Sequence, residues 1–363
     1  MTWLDLSFDL LNGLAIEKGG LLMTGRVLYF DVLNCFACFS VVILHFNGLA
    51  HSYSPTADWL QALLFECIFF GAVPIFLMLS GATLVEYEKR YSTKQFFKKR
   101  LFRVFIPFLV WSIIALIWKV LTDQLSAPVG PRSLLNMVFN TEIMDVYWFF
   151  IPLFSIYLTM PLLGRFLPRA ENKTYIWGGV AVAFILQSLL PVVFEAVGVS
   201  YNASLNYPLI SGYLIFPIIG YMLSKYELKR STRYCLYLSA VLVTCLRFVY
   251  IAHNEGASTS TIWSYTAFPG VLLGAALFVL FKQVDWSRYF HSDRLRGALK
   301  SISGCSFGVY LIHMFVFHYF LVFTGLNGGD WEWRVLMPVA AYLLCLSIVY
   351  LCKKIPFLRK LFP

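Results

Sequence analysis

The 363-residue chain is 59% hydrophobic and only 13% charged, with a mean hydropathy of +0.71. Soluble domains carry roughly 25% charged residues, so this composition excludes a soluble globular protein and describes a membrane one. A net charge of +10 invites a nucleic-acid reading. The placement of the charge removes it, because membrane topology accounts for the basicity, as shown below.

Residues 1–25 mix apolar side chains with Asp5, Asp9, Glu17 and Lys18 and lack the basic start of a signal peptide. They read as an N-terminal tail, either amphipathic at the inner membrane surface or disordered. Ten apolar windows then recur, near residues 28–49, 62–85, 103–122, 146–163, 174–197, 208–224, 234–252, 262–281, 302–323 and 333–352. A bilayer-spanning helix needs about 20 such residues. Backbone groups in lipid must be satisfied within their own segment, so the windows predict helices and an all-α polytopic bundle of about ten transmembrane helices. Residues 26–352 form the membrane domain and 353–363 a basic cytoplasmic tail.

Of the 29 Lys and Arg, only Arg132 and Arg334 fall in odd-numbered connections, while Lys119 and Arg247 lie inside helices. The rest occupy the termini and even-numbered connections, most densely Lys89, Arg90, Lys94, Lys98, Lys99, Arg100 and Arg103. The positive-inside rule places both termini in the cytoplasm. None of the eight cysteines falls in a predicted outer loop, so no disulfide framework is implied. Cys35 and Cys38 form a C-x2-C pair without a second ligand pair and read as apolar filler rather than a metal site.

Few groups in these helices carry chemistry. His45 lies near the far end of the first window, and an ionisable group at that depth is costly to bury. It is either a packed histidine or a catalytic base. Glu66, in the outer half of the second window, could sit at similar depth and orient the imidazole. In KKRLFRVFIP, Arg100 and Arg103 stand three apart beside Lys99 and share a helix face at the inner surface. Forked guanidiniums suit a polyphosphate such as that of coenzyme A, and equally anionic lipid head groups. VPIFLMLSGA brings Ser80 and Gly81 to a place of close backbone approach. Arg247 either snorkels or meets an anion or acidic partner.

Six segments, in order, resemble the bacterial integral-membrane acyltransferase-3 family: FDVLNCFACFSVVILHFNG, VPIFLMLSGA, FFKKRLFRVFIPFLVWS, VYWFFIPLFSIYLTMPLL, IFPIIGYMLSKYELKR and SGCSFGVYLIHMF. The likeness runs from about residue 26 to 352. It implies a cytoplasmic (inner) membrane enzyme moving an acetyl or other short acyl group from cytoplasmic acyl-coenzyme A to a hydroxyl of a surface polysaccharide or lipid-linked glycan. The donor is a substrate, and no permanently bound cofactor, metal or nucleic acid is implied. The resemblance implies that His45 is the family histidine, a catalytic base or acyl acceptor, and that Arg100 and Arg103, with Lys99 beside them, contact the coenzyme A phosphates; Glu66 stays a candidate partner of His45 on depth alone. The late stretch Ser306, Tyr310 and His313 also corresponds, without an assigned role. One departure stands out: many members carry an arginine eleven residues before the histidine, where this chain has Asn34. Asn34, Ser80 and Arg247 are the expected substrate-facing positions. Two other readings stay open, an exporter of a glycan or small acid and a non-catalytic partner in polysaccharide assembly.

Overall fold

The structure is a computed structural model describing residues 27–125, 130–257 and 259–363; the tail expected at residues 1–25 lies outside them. Every regular element among the described residues is helical. The first is α1 (Leu28–Phe46). The second apolar stretch is broken: α2 (Ala57–Phe69) and α3 (Ala72–Leu84) meet at Phe70–Gly71 within one span, Ala57–Lys89. Thr56 caps α2, its hydroxyl accepting from Trp59 N at 3.2 Å. Next, α4 (Thr93–Arg100) runs through a π-helical turn, Leu101–Phe105, into α5 (Ile106–Leu121).

Beyond them lie the short α6 (Pro131–Phe139) and then α7 (Phe150–Phe166). A second π-helical turn, Phe184–Leu189, joins α8 (Lys173–Ala183) to α9 (Leu190–Ala196). The chain ends with α10 (Ile215–Lys225), α11 (Arg230–His253), α12 (Phe268–Gln283), α13 (Asp293–Thr324) and α14 (Trp331–Lys354). Gly325, at φ 70°, closes α13 in the left-handed conformation that glycine adopts without strain.

Nine helices among the described residues are long and apolar enough to cross a membrane. The window at 208–224 is the exception. Its helix, α10, has 11 residues, about 16 Å at roughly 1.5 Å per residue, half of a hydrocarbon core of about 30 Å. Residues from Ile215 to Leu223 are all buried, so α10 is a core element rather than a lipid-facing span. The apolar run continues upstream, but there Gly212–Leu214 forms only a short 3-10 turn, with Gly212 at φ 55°.

α10 is held by backbone contact with α3. A Cβ added to Gly81 would stand 1.9 Å from Pro217 O, and one added to Gly220 would stand 2.1 Å from Met78 O. Small residues permit this approach, and between apolar helices in lipid the resulting van der Waals packing drives association. α1 is enclosed by α3, α13 and α14, and its buried face includes Leu33, Ala37, Val41 and Phe46. The first helix is therefore central, which places His45 deep in the bundle.

Candidate functional site

His45 occupies the last turn of α1 and is half-buried. Its side chain lines two cavities. The first, about 230 Å³, runs toward the Leu28 end of α1 past Ser80, Tyr310, Ser306, Ser303 and Asn34. The second, about 280 Å³, lies toward the opposite end and is lined by His51, Glu66, Phe70 and Trp263. Leu44, His45 and Tyr265 line both. His45 thus stands where the two spaces meet.

Beside it stands a second imidazole. The His313 ring is 5.0 Å from that of His45, and His313 is fully buried. Its Nδ1 contacts Tyr310 O at 2.7 Å. A carbonyl only accepts, so Nδ1 carries the proton and Nε2 is a bare acceptor. That Nε2 is buried with no partner among the described residues. Tyr310 is itself anchored by donating its hydroxyl to Val146 O, and Tyr147 OH donates to Leu311 O at 2.8 Å. The stretch Ser306, Tyr310 and His313 therefore converges on His45, a juxtaposition that a separation of 268 residues hides from sequence reading.

Glu66 shares the second cavity with His45, but its ion-pair partner is Arg247, with Arg247 Nη2 to Glu66 Oε1 at 3.8 Å. Arg247 does not snorkel. It is 1% exposed, lies 3.6 Å above the Phe70 ring, and donates to Ile262 O and Glu66 O, each at 3.3 Å. The carboxylate, the ring face and two carbonyls take the place of much of the water it would otherwise seek, though Nη2 has no hydrogen-bond partner among the described residues. Phe70 stacks on Tyr265 at 4.6 Å and Tyr265 on Trp148 at 5.6 Å, so a column of planar groups walls the junction. Trp148, Tyr265 and Trp263 carried no sequence signal; aromatic residues are too common in this chain to mark a site.

Asn34 faces the first cavity but its amide is engaged: Nδ2 donates to Ser303 O at 2.9 Å, Ser303 Oγ at 3.1 Å and Ser306 Oγ at 3.0 Å. Ser80 also lines that cavity and donates to Phe76 O at 3.0 Å. Arg100 lies 5.3 Å from the ring of Tyr157, which lines the same cavity, and 5.6 Å from that of Phe96. Its Nε is buried without a partner among the described residues. Lys99 sits 3.8 Å above the Tyr91 ring. The π-helical turn at Leu101–Phe105 adds a residue to the turn between Arg100 and Arg103. The two guanidiniums are accordingly further apart around the axis than an α-helical spacing of three predicts.

A multi-pass helical membrane protein whose internal cavities meet at a histidine defines the class, and comparison names the family. The acyltransferase-3 family model, described as an acyltransferase domain, matches residues 27–352, and the chain belongs to that family. Among individual proteins, it is similar to nodulation protein NolL of Mesorhizobium japonicum, 25% identical over 263 residues. That match covers 72% of this chain and 57% of that protein, so the chain spans little more than half of its relative's length. No solved structure matches the chain at a significant level.

Proposed function

We propose that the protein is an O-acyltransferase of the cytoplasmic (inner) membrane. It moves an acetyl or other short acyl group from cytoplasmic acyl-coenzyme A to a hydroxyl of a surface polysaccharide or lipid-linked glycan. The observation that carries this reading is the position of His45, shared by a cavity reaching toward Asn34 and one opening past Glu66 and His51. From Leu28 to His45 is about 25 Å of helix at roughly 1.5 Å per residue, a distance suited to a long donor arm.

In this scheme Arg100, Lys99 and Arg103 grip the coenzyme A phosphates, for which Arg100's unpartnered Nε is an open donor. The neutral arm of the donor lies in the first cavity, among Asn34, Ser80, Ser303 and Ser306. His45 takes the proton from the acceptor hydroxyl as its oxygen attacks the thioester carbonyl. The carbon–sulfur bond breaks, the new ester forms, and the proton passes to the departing thiolate. Glu66, on the far wall of the second cavity, stabilises the imidazolium while it lasts.

The test is transfer of labelled acetyl from acetyl-coenzyme A by the purified protein in vesicles. Wild-type protein should transfer label and His45→Ala should not, both inserting equally into membrane. Normal transfer by His45→Ala would sink the reading, and glycan flux without acyl transfer would favour an exporter.

A further inference from the structure

A third cavity, about 540 Å³, has no part in the scheme above. Three stretches of chain build it: Gln187 and Glu195 from the α8–α9 span, Tyr201 and Asn206 from the connection before α10, and Thr261 and Thr266 before α12. Among the described residues its lining holds one carboxylate and no cationic side chain. Gln187 lies in the π-helical turn Phe184–Leu189, a feature frequent at functional sites. Its Oε1 accepts from Gly212 N at 2.9 Å, while its Nε2 is buried with no partner among the described residues. A buried donor left unmade is costly unless a ligand or water completes it.

The backbone argues that this space is wet. α10 is about 16 Å long, too short to span a bilayer alone, and the chain before it is irregular apart from the 3-10 turn Gly212–Leu214. Non-helical backbone at membrane depth persists only where protein buries it or it lines a water-filled cavity. The connection before α10 lines the groove, giving it Ser200, Tyr201, Asn206 and Ser211 among others. The groove also adjoins the catalytic space. Thr261 and Thr266 face it, while Trp263 and Tyr265 between them line the cavity holding His45 and Glu66. Glu195 fixes this partition, its Oε2 accepting from Thr261 N at 2.9 Å and Thr261 Oγ1 at 2.6 Å.

We infer that this groove seats the acceptor as an uncharged saccharide segment, its reactive hydroxyl presented over residues 261–266 toward His45. This rests on the proposed O-acyl transfer. A lone carboxylate and no cation disfavour phosphate or any other anion, including the donor. Amides and hydroxyls match the alternating donors and acceptors of sugar hydroxyls, and Tyr201, Leu205 and Pro191 offer apolar faces to the ring C–H edges.

The probe is the oligosaccharide pool released by mild acid from the source cell's surface polysaccharide, separated into neutral and anionic fractions. Its binding to the purified full chain in nanodiscs is read by saturation-transfer NMR, beside acetyl transfer to the same pool. Wild type and His45→Ala should bind alike. Gln187→Leu should bind about tenfold more weakly, the loss of one hydrogen bond. Ser200→Trp, an exposed rim substitution that spares the core, should abolish binding. Binding by only the anionic fraction, no binding by wild type, or wild-type binding and acceptor KM in Ser200→Trp would overturn the inference. In the last case transfer that still needs His45 leaves the O-acyltransferase reading intact. Groove-dependent binding without any transfer by wild type would do the reverse.

Discussion

The two cavities that meet at His45 differ in what they offer a visitor. On the Asn34 side the polar groups are neutral, Ser80, Ser303, Ser306 and Tyr310, set among Phe76, Phe149 and Phe307. On the other side stand Glu66, backed by Arg247, and a second titratable ring, His51. Under the proposed transfer, the uncharged thioester arm belongs with the first. The acceptor's reactive hydroxyl and the charge that develops on the proposed transfer belong with the second, where a carboxylate is already held in place. If the proposed transfer holds, the difference builds its direction into the lining, with one imidazole at the boundary.

The largest expected effect breaks the boundary itself. His45→Gln keeps the bulk and removes the base, and should cut acetyl transfer by about 10² to 10⁴-fold, the usual worth of a positioned general base. Next comes the charged side. Arg247→Met strands Glu66 in a buried site, and breaking a buried pair costs about 3–5 kcal/mol, read as thermal unfolding in detergent. Adding Glu66→Gln should restore most of that stability but not the transfer activity. If the double variant transfers normally, Glu66 has no place in the chemistry. Smaller still is the effect at the neutral side's far end. Arg100→Leu removes a phosphate grip and should raise the KM for acetyl-coenzyme A about tenfold with kcat little changed. A fall in kcat alone would assign Arg100 to packing on Tyr157 instead.

What was legible in the sequence was what depends on near neighbours along the chain. Apolar windows marked nine spanning helices because burial in lipid is decided over about 20 consecutive residues. The window at 208–224 misled for the same reason. Hydropathy measures a segment's solvent and not its conformation, so an apolar loop feeding a half-length helix looks like a full one. His45, Glu66 and Arg247 each stood out as costly charges at depth. That Glu66 pairs with Arg247, while His313 lies beside His45, depends on which helices pack together, and no local pattern carries that. The groove at Gln187 is further from view, since its parts are scattered from 187 to 266 and none is unusual alone.

Asn34 carries the smallest expected effect and tests how neutral the first cavity must be. Its amide ties α1 to α13 through Ser303 and Ser306, two hydroxyls that can otherwise bond their own helix backbone. Asn34→Leu keeps the volume and deletes the donor, so the helices lose about one net hydrogen bond, roughly 1 kcal/mol. Unfolding in detergent should fall slightly and transfer should persist. Asn34→Arg is the sharper variant. It places a charge where the thioester arm is proposed to pass. If the neutrality of this side matters, Asn34→Arg raises the KM for acetyl-coenzyme A while Asn34→Leu does not. If instead Asn34→Leu abolishes transfer with stability kept, Asn34 acts on the substrate, and the side assigned to the arm takes part in the chemistry.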